Sequence, residues 1–336
     1  MIRNSKAEAG RARGRVGLLA VGGIAVLASA AVALTVVFTS SAATRTVPGI
    51  AAASAAVTQT QALAAAQKQG PVYLSAELTG AQEVPVPGGP VSGSPSGDGT
   101  ALVKVDGSQV TFQFTWQGIS APTAGHIHQG KAGANGPVIA PLFAAAMPDT
   151  VDAAAGVVTL NDNALANQLR TQPASFYANL HTREFPGGAL RGQLQPAGRH
   201  GTDMRTFSGH RSQLKSFDTG GNEVPVANGP KTGDPDGRAD GTVDLRRGGV
   251  DYWFSWTGIQ EPTAGHIHQG AAGQNGDVKV PLFAGAIPEN IFAVAGSVPD
   301  VSGDITDAVK ADPGGFYTNL HTAEFPGGAV RGQLRK

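Results

Sequence analysis

The chain repeats itself at a fixed offset of 140 residues, and the repeat is richest where it contains histidine. Pro122-Thr123-Ala124-Gly125-His126-Ile127-His128-Gln129-Gly130 recurs letter for letter as Pro262 to Gly270. Asn179-Leu180-His181-Thr182, Glu184 to Ala189 and Arg191 to Leu194 recur as Asn319 to Thr322, Glu324 to Ala329 and Arg331 to Leu334. A period this long describes two copies of a whole domain, because small solenoid repeats recur every 20–50 residues or so. Six of the eight histidines fall inside the repeated blocks, three per copy.

Each copy is long enough to enclose its own core. With 47 Gly and 22 Pro set between short apolar runs, the body reads as turn-rich β structure. Val110, Phe112, Phe114 and Trp116 alternate with polar residues, as do Val250, Tyr252, Phe254 and Trp256, which predicts a half-buried strand in each copy. Val103 and Val105, with Val243 and Leu245, mark the strand before it. Leu165 and Leu169, repeated as Ile305 and Val309, predict one short helix per copy. The Pro85–Gly99 segment reads as an exposed, mobile Pro/Gly/Ser insert. The expected fold is all-β, with two tandem antiparallel β-sandwich or flattened-barrel domains of immunoglobulin-like or superoxide-dismutase-like type.

The organisation follows from composition. Arg3, Lys6, Arg11, Arg13 and Arg15 precede an uncharged stretch from Val16 to Phe38. That stretch predicts a hydrophobic helix acting as a membrane anchor, with a signal peptide cut after Ala43 as the alternative. Either way the basic flank stays inside and the body is exported. The expected divisions are 1–43 for this segment, 44–71 for an Ala/Gln-rich spacer, 72–195 and 212–336 for the domains, and 196–211 for the linker. The body after residue 43 has no basic stripe, which argues against nucleic acid as a partner. With no cysteine, a disulfide framework, a thiolate metal site and a cysteine nucleophile are all excluded.

Strand alternation places His126 and His128 on one face, with Ile127 on the other. His181 shares a face with Tyr177 and Asn179, while Phe176, Ala178 and Leu180 point the opposite way. The apolar alternates can fill the core, so the histidines belong on the outer face or its rim. If the two strands are neighbours, three imidazoles converge. His126, His128 and His181, with His266, His268 and His321, are therefore candidate ligands for copper or zinc, and the alternative is a set of hydrogen-bonding surface residues. Arg191 and Arg331 are expected to pair with Glu184 and Glu324 or with solvent. Glu83 and Glu223 read as isolated structural carboxylates, and Phe185-Pro186-Gly187-Gly188 as a tight turn. No residue is assigned a catalytic role, since neither a nucleophile elbow nor a carboxylate pair recurs in both copies.

These same residues resemble the CHRD domain family, the module first described in chordin. The resemblance is carried by Leu78-Thr79-Gly80-Ala81-Gln82-Glu83-Val84-Pro85, by Gly125-His126-Ile127-His128, and by Asn179-Leu180-His181-Thr182 through Arg191-Gly192-Gln193-Leu194. The second copy departs only at its start, Asp218-Thr219-Gly220-Gly221-Asn222-Glu223. The resemblance implies an extracellular β-sandwich and says little of function; the chain is read as a non-enzymatic binding or structural module at the cell surface, its ligand unspecified, with copper binding as the alternative. Gly125-His126-Ile127-His128 with Asn135-Gly136-Pro137 is also similar to the copper-ligand strand of Cu,Zn superoxide dismutases, with His181 at the last copper ligand. Val138 and Val278 stand where that family has its bridging histidine, and its zinc ligands and disulfide have no counterpart. This second similarity implies a zinc-free, three-histidine copper site for metal handling or redox defence.

Overall fold

The computed structural model describes residues 70–198 and 214–336. The expected N-terminal helix, most of the spacer and most of the linker lie outside these residues. Among the described residues, no helix is long and apolar enough to cross a membrane.

In the first copy, β1 (Val72–Thr79), β2 (Asp98–Asp106), β3 (Gln109–Gln117) and β6 (Val151–Thr159) form one antiparallel sheet in that order. The other sheet has the order β5 (Val138–Phe143), β4 (Ala124–Gln129), β7 (Phe176–His181), β8 (Leu190–Gln193). The chain crosses between the sheets after β3, after β5 and again after β6, and β1 touches β8 and the short β9 (Gln195–Pro196) at one edge. The second copy repeats the plan. Its sheets are β10 (Leu214–Thr219), β11 (Arg238–Arg246), β12 (Gly249–Thr257), β15 (Ile291–Pro299), and β14 (Val278–Ala284), β13 (Pro262–Gln269), β16 (Phe316–Thr322), β17 (Val330–Gln333). Each copy is thus a β-sandwich.

The alternating residues do what their period requires. Val110, Phe112, Phe114 and Trp116 are buried between the sheets, as are Val250, Tyr252, Phe254 and Trp256. The β2–β3 hairpin closes on two residues, and Gly107 supplies the positive φ of 61° that such a turn needs. The short helices are α1 (Asn163–Thr171) and α2 (Gly303–Ala311), and Leu169 and Val309 anchor them to the core. Asp162 caps α1 by accepting from the Ala164 and Leu165 amides at 2.8 and 3.1 Å.

The two copies join through their Ala-rich strands. β6 pairs antiparallel with β15, so the two four-stranded sheets become one of eight. Val151 faces Gly296, Ile291 faces Gly156, and Ala154 faces Val294. Under the 140-residue offset each pair maps onto the other or onto itself, so the junction is an isologous two-fold within one chain. Side chains fasten it on both sides. Thr150 Oγ1 donates to the Leu282 carbonyl at 2.6 Å, and Asn290 Nδ2 donates to the Leu142 carbonyl at 3.3 Å.

The Pro85–Gly99 insert differs from its expected mobility. Val86 and Val91 are exposed, but the segment is stitched to the Phe185–Gly188 turn. The Gly93 amide donates to Gly188 O at 2.8 Å, Ser94 to Ala189 O at 3.0 Å, and Gly187 to Val91 O at 2.8 Å. Its last two residues already belong to β2.

Candidate metal centre

β4 and β7 are neighbours, and their register brings the histidines together: His126 faces Asn179, His128 faces Tyr177, and Ala124 faces His181. The residues between them point into the core, where Ile127, Ala178 and Leu180 are fully buried. Two irregularities in the β4–β5 pairing flank His126 and re-aim side chains locally. Gly125 is required here because a Cβ would run into the Phe143 ring.

The His126 ring centroid lies 5.5 Å from His128 and 5.0 Å from His181, and the second copy gives the same two distances for His266 with His268 and His321. In each trio every imidazole offers a ring nitrogen, and the three nitrogens lie within 4.8 Å of one another. The histidines are half-buried instead of lying on a solvated face. The Glu83–Val91 segment and the loop after β4 are close by, as bonds from Asn179 to Glu83 and from Asn135 to Val84 indicate.

Backbone carbonyls set the tautomers. His128 Nδ1 pairs with Gly136 O at 3.0 Å, and His181 Nδ1 with Pro186 O at 3.0 Å. A carbonyl only accepts, so each Nδ1 carries the proton and each Nε2 keeps a free lone pair. His128 Nε2, His181 Nε2 and His126 Nδ1 are buried and have no partner. In the second copy His268 and His321 are held likewise by Gly276 and Pro326, and His268 Nε2 is unpartnered. There His266 Nδ1 stands 3.1 Å from His321 Nε2. His321 Nε2 is already an acceptor, so His266 Nδ1 is the donor across that pair.

Burial, then the neighbouring His181 and His128, pushes His126 down to about 4, and the same causes act on His266. Burial also lowers His128, His181, His268 and His321, against the pull of their carbonyl bonds. All six are neutral imidazoles at pH 7, the form that binds metal.

Arg191 and Arg331 correct the expectation of surface pairing, since each is 1% exposed. The Arg191 guanidinium lies 3.5 Å from the centre of the Tyr177 ring. It donates to Asn135 Oδ1 at 2.9 Å and to the Ala134 and Lys131 carbonyls at 2.8 and 3.2 Å. Glu324 instead meets Lys231 at 2.8 Å. Glu83 and Glu223 also prove to have partners: the Asn179 and Asn319 side-chain amides donate to them. Burial raises both carboxyls to about 7, although Arg191 or Arg331 and the asparagine bond pull the other way. The sequence reading missed this supporting layer of Tyr177, Asn179, Arg191, Asn135 and Glu83 as a unit. Its signal was the recurrence of the set at Tyr317, Asn319, Arg331, Asn275 and Glu223.

The family model of the CHRD domain matches residues 74–194 and again 216–334. The chain therefore belongs to the CHRD domain family, with two copies in tandem. No curated protein matches the sequence.

Proposed function

We propose that each domain binds one metal ion through its histidine trio, copper being the best match, and that the chain is an extracytoplasmic binding module, not an enzyme. The observation that carries this reading is the set of three buried ring nitrogens without a partner, His126 Nδ1, His128 Nε2 and His181 Nε2, the last two of which carry lone pairs because their Nδ1 atoms hold the protons. Leaving buried acceptors unsatisfied costs about 1–3 kcal/mol each, and a bound cation removes that cost. Two nitrogens on one ion, each at about 2.0–2.1 Å, stand at most about 4.2 Å apart, so small ring rotations close the trio onto a metal. A set of imidazoles without thiolate or carboxylate suits copper and zinc and disfavours calcium and magnesium. The Nδ1–H bonds to backbone carbonyls are the usual second layer that orients ligating imidazoles. The copper-ligand likeness of Gly125-His126-Ile127-His128 favours copper and a superoxide-dismutase-like reading of the sandwich.

Membership of the CHRD family suggests an extracellular module, and the basic flank with the uncharged Val16–Phe38 stretch supports export with anchoring at the membrane. A structural role for the histidines is the second reading, favoured by the His266–His321 ring contact, which satisfies two nitrogens without a metal.

Elemental analysis of the chain after incubation with Cu(II) and Zn(II) and exhaustive dialysis tests the proposal. One copper per trio, hence two per chain, is expected. The copper should be lost when all six histidines become Ala. No retained metal would overturn the proposal in favour of the structural reading.

A further inference from the structure

In the second domain a cavity of about 190 Å³ opens beside the trio, walled by His268, His321, Asn319, Glu223 and Val226. His268 contributes the unpartnered Nε2 described above, so one wall of the cavity carries a ligand atom. The Glu223 carboxyl stands on another wall, held by the Asn319 amide. It is not among the groups close enough to join the three nitrogens. Val226, on the rim, is 59% exposed. The first domain carries the same residues as His128, His181, Asn179, Glu83 and Val86, with the same Asn179–Glu83 bond.

Three protein nitrogens leave a four-coordinate ion one position short, the arrangement that admits an outside ligand. On β5 and β14, Val138 and Val278 lie opposite His128 and His268 and offer no donor atom. Resting on the metal reading above, we propose that the ion in the second trio keeps a coordination position open to this cavity, that the first trio does the same on its equivalent side, and that the position takes a small anion or water lying between the ion and the Glu223 or Glu83 carboxyl. The volume sets the class of ligand, since pockets for drug-sized molecules run from about 300 to 1,000 Å³. The cavity holds several waters or one small molecule. Near neutrality the carboxyl, raised by burial, can present either a proton or an acceptor to the ligand's outer end. Glu223 and Glu83 would therefore choose among small ligands by charge without binding the metal themselves.

The test uses the full chain loaded with Cu(II) and azide as the probe, followed through its charge-transfer absorption at about pH 8, where these carboxyls are mostly ionised. One variant pair, Val86→Trp with Val226→Trp, fills the cavity mouth of the second domain and the equivalent position of the first; the other, Glu83→Gln with Glu223→Gln, removes the negative charge. Copper content and the nitrogen hyperfine pattern are recorded first for each protein. The expected result is unchanged copper in both pairs, azide binding weaker by about tenfold or more in the Trp pair, and several-fold tighter in the Gln pair. Azide affinity within about twofold of wild type in the Gln pair overturns the inference, and this arm decides the matter even if the Trp pair folds poorly. Wild-type protein that holds no copper overturns the metal reading and the inference together. Copper held with azide affinity indifferent to the glutamates overturns the inference alone.

Discussion

Tyr177 lies flat against His128, with ring centroids 4.7 Å apart and planes 8° from parallel, and the Arg191 guanidinium covers the other face of the same phenol ring. His268, Tyr317 and Arg331 repeat this three-layer stack at 4.8 Å and 5°. A buried cation thus fixes the plane of a candidate ligand through an aromatic spacer.

Removing that cation should cost more than a surface arginine would. Arg191→Met leaves Asn135 and the Ala134 and Lys131 carbonyls short of their donors. We expect a loss of about 3–5 kcal/mol in urea unfolding, with Arg191→Lys recovering little of it because an ammonium lacks the planar fork. A loss below about 1 kcal/mol would show that the stack is not a structural support.

Metal retention should outlast the usual imidazole range as acid is added. A free histidine protonates near pH 6.5, whereas burial holds His126 and His266 down to about 4. A lowered folded pKa means that the neutral, ligating form persists below 6.5 and is lost only on approach to the folded value. Copper content after dialysis should therefore be flat from about pH 7.5 to 6 and fall below about 5. A fall centred at about 6.5 would mean that the histidines are solvated.

Asp218 should make stability decrease as pH rises. It is fully buried, and Thr318 Oγ1 donates to its two oxygens at 3.0 and 2.9 Å. The first domain has Leu78 and Ala178 at these places. Burial raises the Asp218 carboxyl to about 7 against its bonds from Thr318, with Asp240 adding to the rise. Between about pH 4 and 7 the unfolded chain gives up this proton while the folded chain keeps it, so folding is penalised increasingly until about 7, then constantly. The Tm difference between Asp218→Asn and wild type should grow in favour of the variant from about pH 5 to 8. A difference independent of pH would contradict the raised pKa.

The junction between the copies should fail when Gly156 gains a side chain. A Cβ there meets the Asn290 backbone carbonyl of the second copy, and at Gly296 it meets the Thr150 carbonyl of the first. Gly156→Val should cost about 3 kcal/mol or more. Calorimetry should then resolve two transitions in the variant against a single one expected for wild type. A single transition retained by the variant would indicate that β6 and β15 do not pair in solution, since the same Cβ also meets Phe112 within the first domain and lowers stability by itself.

The sequence by itself determined the duplication, the period-two core of β3 and β12, the short helices, and the shared face of His126 and His128. Each of these depends on local backbone geometry, in which alternation assigns a face to every residue of a strand. Alternation does not say which strand lies alongside or what covers the exposed face. The pairing of β4 with β7 turned three histidines into a cluster, and the nearby Glu83–Val91 segment together with the loop holding Gly136 made it half-buried. The stacking of Arg191 under Tyr177 was hidden for the same reason, since its partners come from the turn after β4. The Ala153-Ala154-Ala155-Gly156 centre of β6 gave little strand signal in the sequence, having no bulky alternates there. Only when β15 lay against it did those small side chains become the contact between the two domains, because close approach of two strands depends on what each finds opposite.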